Sequence, residues 1–272
     1  MKPICFLSDF GLVDDFVGTC KGVMARIAPG ANIIDLTHDV PGFDPATGAE
    51  ILKHAVRYMP KDTVYLAVVD PGVGTGRRGL ALQAGDAYLV GPDNGLLAPA
   101  ASSLGGVSEA VSLTNPHYHV HPVSSTFHGR DIFAPVAAHL AFGAVLSDLG
   151  DPIDPAGLES SNLPGVEVED GGFSAQVISI DRYGNARLSM MEEELGLNYD
   201  APLRVDTGDG DMPVRYIETF GSAKAGELIL VPDSHWRMSL AINMGSARHA
   251  LGLEIGACVR LTSVEKEEDH GT

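Results

Sequence analysis

The chain has 272 residues, enough for one large domain or two unequal ones with a substantial hydrophobic core. Its 18 Lys and Arg residues stand against 36 Asp and Glu, and the formal net charge of -18 argues against nucleic acid as a partner. The three cysteines, Cys5, Cys20 and Cys258, lie far apart without metal-type spacing, which argues against a disulfide framework or a zinc site.

Short apolar runs alternate with helical patterns in the first half of the chain. The opening run meets Asp9 before a secretory or membrane-spanning segment could be completed, so we expect a cytoplasmic protein without a membrane partner. The patterns predict strands at residues 4–7, 32–36, 64–69, 80–83 and 88–90, and helices at residues 14–28, 45–58 and 129–142. This alternation is typical of a mostly parallel sheet covered by helices. We therefore predict an N-terminal α/β sandwich domain over residues 1–155.

The second half of the chain has a different pattern. A stretch rich in Asp, Pro, Ser and Gly predicts a linker over residues 156–171. Short alternating segments then occur at residues 174–180, 202–205, 214–217, 227–231 and 258–261. Such segments, separated by Gly, Asp, Asn and Pro, indicate a small β-barrel domain, which we place at residues 172–265. Residues 266–272 are expected to be a solvated acidic tail.

Four polar, glycine-containing clusters lie at residues 8–15, 70–78, 91–95 and 125–131. The first three directly follow predicted strands, and the fourth precedes a predicted helix. Loops at one edge of an α/β sheet can converge on one crevice although they are distant in sequence. The clusters therefore predict a functional site at that edge.

Asp70 ends an apolar strand, and Arg77 and Arg78 follow it across a glycine-rich turn. The residues after the turn alternate as a strand, which argues against a phosphate-binding or dinucleotide-binding loop. The glycines instead let the backbone bend back, so that Arg77 is directed at the carboxylate of Asp70. The pair is either catalytic or a structural salt bridge that closes the turn.

His128 and Asp9 are the other candidates for chemistry. His128 precedes a predicted helix, whose positive dipole end favours a neutral imidazole that can accept a proton from water. Asp9 could accept hydrogen bonds from both hydroxyls of a ribose, or it could cap the helix that begins near Asp14.

Three histidines alternate at His117, His119 and His121. On a strand they would share one face and could bind a metal; the alternative is an exposed polar face of an edge segment bounded by prolines, and we expect no metal. The segments at residues 181–185, 233–236 and 243–245 have, in isolation, the composition of turns.

The motifs SDFG-x-x-DDFVG, VVDPGVG-x-x-RR, GPDNGLL and STFHGRDIFAP, taken together and in this order, resemble those of the S-adenosyl-L-methionine (SAM) hydroxide adenosyltransferases. This family of SAM hydrolases is related to the fluorinase and the chlorinase. The resemblance runs from Ser8 to about Leu261. It implies an N-terminal α/β domain joined to a smaller β-barrel, and a homotrimer with the ligand between neighbouring subunits. It also implies SAM as substrate, adenosine and L-methionine as products, and no cofactor.

The resemblance also implies site residues. It assigns the positioning and activation of water to Asp70, Arg77 and His128, and the binding of ribose to Asp9. The further substrate-binding residues that it implies are Asp14, Phe43, Gly129, Asp181, Tyr183, Asn185, Ser234, His235, Asn243 and Met244.

Among these, Asp181 and Asn185 match residues that hold the methionine part of the substrate. Ser234 matches a carboxylate contact, although His235 stands where the fluorinase has an arginine. Asn243 and Met244 fall in the segment that meets the adenine.

Two departures separate this chain from the halogenases. Gly129 replaces the serine that holds halide in the fluorinase, and Asp70 replaces a tyrosine of both halogenases. A carboxylate beside the reaction centre repels a halide but accepts a hydrogen bond from water. We therefore predict hydrolysis of SAM by attack of an activated water on C5′. The alternatives are a SAM- or adenosine-binding module without turnover, a halide-transferring enzyme, and a metal-dependent hydrolase built on the three histidines.

Overall fold

A computed structural model describes residues 1–161, 164–169, 171–208 and 210–263 of the chain. The predicted acidic tail at residues 266–272 lies outside these ranges. The chain divides into two compact units, Met1–Asn162 and Leu163–Thr272. Within the described ranges, no helix is both long and apolar enough to cross a membrane.

The first unit alternates strands with helices, as predicted. Its main elements are, in chain order, β1 (Ile4–Ser8), α1 (Phe16–Ile27), β2 (Ile33–Thr37), α2 (Pro45–Ala55), β3 (Val64–Val68), β4 (Gly79–Ala84), β5 (Ala87–Pro92), α3 (Ala98–Ser103), β6 (Val107–Ser112), α4 (Ala134–Phe142) and β7 (Asp151–Pro152). The predicted helix over residues 129–142 starts with a π-helical turn at Gly129–Phe133. The sequence did not predict α3 or β6, because both are short and rich in Ala and Ser.

The strands of this unit form one sheet in the order β2-β1-β3-β5-β4-β6-β7. The strands β2, β1, β3 and β5 pair in parallel, whereas β4, β6 and β7 pair antiparallel. The register of β1 on β3 places Ser8 beside Val68. The loops that begin with Asp9 and Asp70 therefore leave adjacent carboxyl ends of parallel strands, where open α/β sheets place their ligands.

Helices cover both faces of the sheet, which confirms the predicted α/β sandwich. Ile4 and Phe6 pack with α1 and α4 on one face, and Cys5 and Leu7 pack with α2 and α3 on the other. All five residues of β1 are buried. Each large apolar side chain removed from water contributes about 1.5–3 kcal/mol, so this strand is held firmly beneath the loops that follow it.

The second unit is a small β-barrel, as predicted. Its elements are β8 (Glu167–Glu169), β9 (Gly172–Ile180), β10 (Ala186–Met191), α5 (Glu192–Leu195), β11 (Pro202–Asp206), β12 (Asp211–Tyr216), β13 (Leu228–Pro232), β14 (Arg237–Ile242), α6 (Ala247–Leu251) and β15 (Cys258–Ser263). The strand order is β10-β14-β13-β12-β11-β15-β9-β8, and pairing of β10 with β9 closes the ring. The predicted linker over residues 156–171 includes β8, which pairs with β9.

Candidate active site

The carboxylate of Asp70 and the guanidinium of Arg77 form a bidentate ion pair. Nε of Arg77 lies 2.8 Å from Oδ1 and 3.0 Å from Oδ2 of Asp70, and Nη2 also donates to Oδ2. The side chains of Arg77 and Asp70 are only 12% and 6% exposed. A bidentate pair with little exposure to water is both oriented and strong.

The glycine-rich turn makes this pairing possible and joins it to a second loop. Gly74 has a φ of +76°, and a Cβ atom on it would lie 2.2 Å from the carbonyl oxygen of Ser125. Both the left-handed backbone and the close approach require glycine. The turn therefore packs directly against the loop that carries His128.

His128 is bound by the same guanidinium. Nη2 of Arg77 lies 2.9 Å from Nδ1 of His128. Because a guanidinium can only donate, Nδ1 is the acceptor, and a neutral His128 carries its proton on Nε2. Burial, and after it the charge of Arg77, lowers the pKa of His128, while Asp70 and Asp131 act in the opposite direction. The shift has the predicted direction, with burial as its largest cause.

The loop that presents His128 is held by Asp131, which is fully buried. Oδ2 of Asp131 accepts a hydrogen bond of 2.8 Å from the backbone N–H of Ser124, and Arg130 pairs with the same carboxylate. The backbone N–H of Asp131 donates to the carbonyl oxygen of Phe127. The buried carboxylate of Asp131, paired with the partly exposed Arg130, thus holds the chain on both sides of His128.

Asp70 and His128 line a cavity of about 250 Å³ in the first unit, together with Asp9, Phe43 and Gly129, whereas Arg77 is not among the described residues that line it. Oδ2 of Asp9 accepts a hydrogen bond of 3.1 Å from the backbone N–H of Phe43, which ties the loops after β1 and β2 together. Phe43 has a φ of +64° and a 79% exposed side chain. The structure therefore brings Asp9 and Phe43 to one rim of the cavity.

Two further features of this loop concern Asp14, whose role in substrate binding stays a prediction, and the alternative role of Asp9 as a helix cap. Asp14 is exposed and is not among the described residues that line the cavity. The N-cap residue of α1 is Asp15, so Asp9 does not act as the cap of this helix. The reason is that residues 12–15 form bends, and the helix starts only at Phe16.

Gly129 lies against the rings of Phe10 and Phe127 in the cavity wall. A Cβ atom on it would lie 2.8 Å from Cζ of Phe10. The ring of Phe10 cannot simply turn away, because it packs edge-on against Phe16 and Phe127, with ring centroids 6.0 Å and 5.7 Å apart. The backbone here has no room for a side chain without repacking of these rings.

A series of hydrogen bonds between polar side chains lies beneath the Asp9 loop and was not predicted from the sequence. Oγ of Ser8 lies 2.8 Å from Nδ1 of His38, and Nε2 of His38 lies 3.1 Å from Oδ1 of Asp35. Lys21 pairs with the outer oxygen of Asp35. The backbone N–H of Gly11 also donates to the carbonyl oxygen of His38. The only signal in the sequence was Ser8 beside Asp9, and nothing local pointed to His38.

The second unit has its own, larger cavity of about 900 Å³. Five of the predicted substrate-binding residues line it: Asp181, Tyr183, Asn185, Ser234 and Met244. The side chains of Asp181 and Asn185 bond to each other, with 2.8 Å between Oδ2 and Nδ2. Oδ1 of Asp181 accepts from the backbone N–H of Tyr183, so the turn is fixed in the shape that lines the cavity.

Two of the predicted substrate-binding residues do not line this cavity, and one residue that was not predicted does. His235 and Asn243 are not among the described residues that line it. The side-chain amide of Asn243 instead donates to the carbonyl oxygen of Ala223, and the backbone N–H of His235 donates to Asp233. Arg187 does line the cavity, and its Nε pairs with Asp233. Its place two residues after the predicted residue Asn185, on β10, was the available signal.

The three histidines do not share a strand face. Residues Pro116–Tyr118 form a 3-10 helix, and Nε2 of His121 lies 2.8 Å from the carbonyl oxygen of Pro116. In the part of the chain that the structure describes, no three His, Cys, Asp or Glu side chains are arranged to hold a metal ion. The alternation at His117, His119 and His121 therefore does not build a metal site.

Comparison with known proteins identifies the same two units. The SAM hydroxide adenosyltransferase N-terminal domain matches residues 4–150, and the C-terminal domain of that family matches residues 175–260. A protein from Salinispora tropica named (R)-S-adenosyl-L-methionine hydrolase is 47% identical over 260 residues, which cover 96% of this chain and 97% of that protein.

A more distant relative and a solved structure are also similar to this chain over nearly its whole length. A fluorinase from an Actinoplanes species is 28% identical over 292 residues, covering 95% of this chain and 97% of that protein. The crystal structure of an uncharacterized conserved protein from Thermotoga maritima superposes with a TM-score of 0.88 at 36% identity, covering 95% of this chain and 99% of that one. The two family domains together span most of the sequence, and the chain belongs to the SAM hydroxide adenosyltransferase family.

Proposed function

We propose that this protein hydrolyses SAM to adenosine and L-methionine, as the name of its 47% identical relative indicates for that protein. The observation that carries the proposal is the buried carboxylate of Asp70, held by Arg77, which also binds His128. A fixed anion at the cavity wall suits a water nucleophile and a cationic sulfonium, and it repels halide.

The water is oriented by two groups. A carboxylate offers about four acceptor positions, and the three contacts from Arg77 leave one position on Asp70 for the water. The Nε2–H of His128 donates to the same water. This assignment replaces the predicted role of His128 as proton acceptor, because Arg77 occupies its Nδ1 and a proton occupies its Nε2.

The reaction needs no acid for the leaving group. The water oxygen forms a bond to C5′ as the bond from C5′ to the sulfonium sulfur breaks, and the bonding electrons neutralise the sulfur of methionine. The proton of the water passes towards Asp70 and then to solvent. Orientation of the water and this proton transfer are the main contributions of the protein, and the proton transfer is worth about 10²–10⁴-fold.

The remaining residues bind the substrate. Asp9 binds the ribose diol and Phe43 covers it, supported by their place at the rim of the same cavity as Asp70. Asp181, Tyr183, Asn185, Ser234 and Met244 bind the methionine and adenine parts. The resemblance to the family supports a homotrimer with each ligand shared by neighbouring subunits, to be tested by light scattering. Free cysteines at Cys5 and Cys20 support a cytoplasmic location.

The decisive experiment incubates untreated and chelator-treated protein with SAM and separates the products by liquid chromatography. The reaction is run in plain buffer and again with excess chloride or fluoride. Adenosine and methionine in all samples are the expected result. A 5′-halo-adenosine would establish halide transfer, loss of activity on chelation would establish a metal-dependent hydrolase, and intact SAM with tight binding in calorimetry would establish a binding module.

A further inference from the structure

We propose that Arg187 binds the α-carboxylate of the substrate, an inference that rests on the proposed function. The amino-acid end of SAM carries one carboxylate and one ammonium group, so its binding site needs a cation and an acceptor. Arg187 is the only Lys or Arg among the described residues that line the cavity of the second unit. His235, which stands at the position where the fluorinase has an arginine, does not line it.

The strand register places Arg187 on the cavity wall. Arg187 on β10 pairs with Ser179 on β9 and with Ser239 on β14, and both serines line the same cavity. Side chains of directly opposed strand residues point to the same side of a sheet. The three side chains therefore form a continuous polar strip across three strands. Asn185, two residues earlier, continues the strip towards the Asp181 turn.

The guanidinium of Arg187 is oriented but not saturated. Its Nε donates to Oδ2 of Asp233, while Oδ1 of that carboxylate accepts from the backbone N–H groups of His235 and Arg237, at 2.7 Å and 3.1 Å. The hydrogen bonds that Arg187 makes to other described side chains use Nε only. Two terminal amino groups remain available, in the fork geometry that fits a carboxylate.

The charges of the cavity complement a zwitterion. Asp181 and Asp233 supply carboxylates to the cavity wall, and Arg187, which pairs with Asp233, supplies the cation. The side chain of Arg187 is 19% exposed, so water screens it only in part and its hydrogen bonds to a carboxylate retain much of their strength. An α-amino acid group bound with its ammonium towards Asp181 and its carboxylate on the terminal amino groups of Arg187 places each of its charges beside an opposite charge.

The test compares SAM with decarboxylated SAM, in which hydrogen replaces the carboxylate. Steady-state kinetics are measured for the wild type, Arg187→Met and Arg187→Lys. We expect Arg187→Met to raise KM for SAM by about 10- to 100-fold, the worth of a charged hydrogen bond, and to change KM for decarboxylated SAM by less than about 3-fold. Arg187→Lys is expected to recover part of the loss, because it keeps the charge without the fork.

A control variant and a double variant separate a loss of carboxylate binding from a general effect of removing an arginine or from a failure to fold. Arg204→Met removes another barrel arginine, one that pairs with Asp211 outside the cavity, and both KM values are expected to stay at the wild-type level. If Arg187→Met does not fold, Arg187→Met with Asp233→Asn removes both charges and repeats the measurement. Equal increases in KM for the two ligands would overturn the proposal for Arg187.

Failure of the proposed function gives a different result. If the wild type turns over neither ligand, calorimetry of the two ligands still measures the preference for the carboxylate. A preference for SAM that disappears in Arg187→Met would support the site even then. An equal affinity of the wild type for both ligands would overturn it.

Discussion

Arg77 and His128 are 51 residues apart in sequence, yet Nη2 of the arginine lies 2.9 Å from Nδ1 of the histidine. The same guanidinium holds both oxygens of Asp70 and lies over the ring of Phe133, with Cζ 5.1 Å from the ring centroid. One side chain thus sets the orientation of the carboxylate and the tautomer of the imidazole. Arg77 therefore positions both Asp70 and His128, two of the groups that line the cavity.

Substitution of Arg77 is therefore expected to remove catalysis with little loss of substrate affinity. Arg77→Met releases Asp70 and His128 together, and kcat should fall by about 10²–10⁴-fold while KM changes little. The matched control is Arg78→Met, because Arg78 pairs with Asp93 and the carbonyl oxygen of Gly157. Its kcat should stay within about 2-fold of wild type, because the hydrogen bonds of Arg78 go to Asp93 and Gly157 and not to Asp70 or His128. Similar kcat values for the two variants would contradict the role of Arg77.

The pH profile depends on His128. Burial and Arg77 lower the pKa of His128 from 6.5, so the ring is neutral at neutral pH and becomes charged only below its ordinary range. Protonation places a donor at Nδ1 facing Arg77 and breaks that hydrogen bond. We expect kcat to be constant above pH 6.5 and to fall as pH decreases through the lowered pKa. An acid limb centred above pH 6.5, or one that persists in His128→Gln, would exclude this assignment.

Gly74 is expected to be essential and Gly76 replaceable. Ala at position 74 would adopt a φ of +76° and place its Cβ 2.2 Å from the carbonyl oxygen of Ser125. The strain should lower the free energy of unfolding by about 1–3 kcal/mol and reduce kcat by separating Arg77 from His128. A Cβ on Gly76 meets no atom within 4 Å, so Gly76→Ala should be nearly neutral. Thermal unfolding and kcat of both variants provide the comparison.

Gly129→Ser is not expected to create a halide-transferring enzyme. Its Cβ would lie 2.8 Å from Cζ of Phe10, so any hydroxyl group enters only after the aromatic rings repack. Overpacking of this kind costs about 1–3 kcal/mol. Activity should fall equally in Gly129→Ala and Gly129→Ser, with no 5′-halo-adenosine at high chloride or fluoride. A halide product from the serine variant alone would show that the hydroxyl group is sufficient.

The hydrogen bonds that link the side chains of Ser8, His38 and Asp35 are expected to position the neighbouring Asp9. His38→Ala leaves the buried Ser8 hydroxyl without its partner and loosens the loop whose Gly11 N–H bonds to residue 38. KM for SAM should rise by about 3- to 10-fold, equivalent to about one hydrogen bond. Lys21→Met removes only the ion pair with the exposed side chain of Asp35, and it should leave KM for SAM within about 2-fold of wild type. An unchanged KM in His38→Ala would limit His38 to a structural role.

The sequence by itself determined most of the local elements of this protein, although not α3 or β6. The apolar run at residues 4–7 became the fully buried β1, and the strand pattern at residues 80–83 became β4. The pairing of Arg77 with Asp70 was also predictable, because the glycine-rich turn between them has only six residues and leaves few other places for the side chain. Periodicity and turn chemistry operate over short separations, and a single sequence displays them directly.

Only the tertiary structure decided which distant side chains meet. The pairing of His38 with Ser8 depends on the parallel pairing of β2 with β1, and Arg187 reaches the cavity wall because β10 closes the barrel on β9. The three histidines failed to align because the prolines turn that segment into a 3-10 helix. Contacts between residues far apart in sequence are fixed by register and closure of whole sheets. No local pattern carries that information, because register and closure arise from the packing of the complete core.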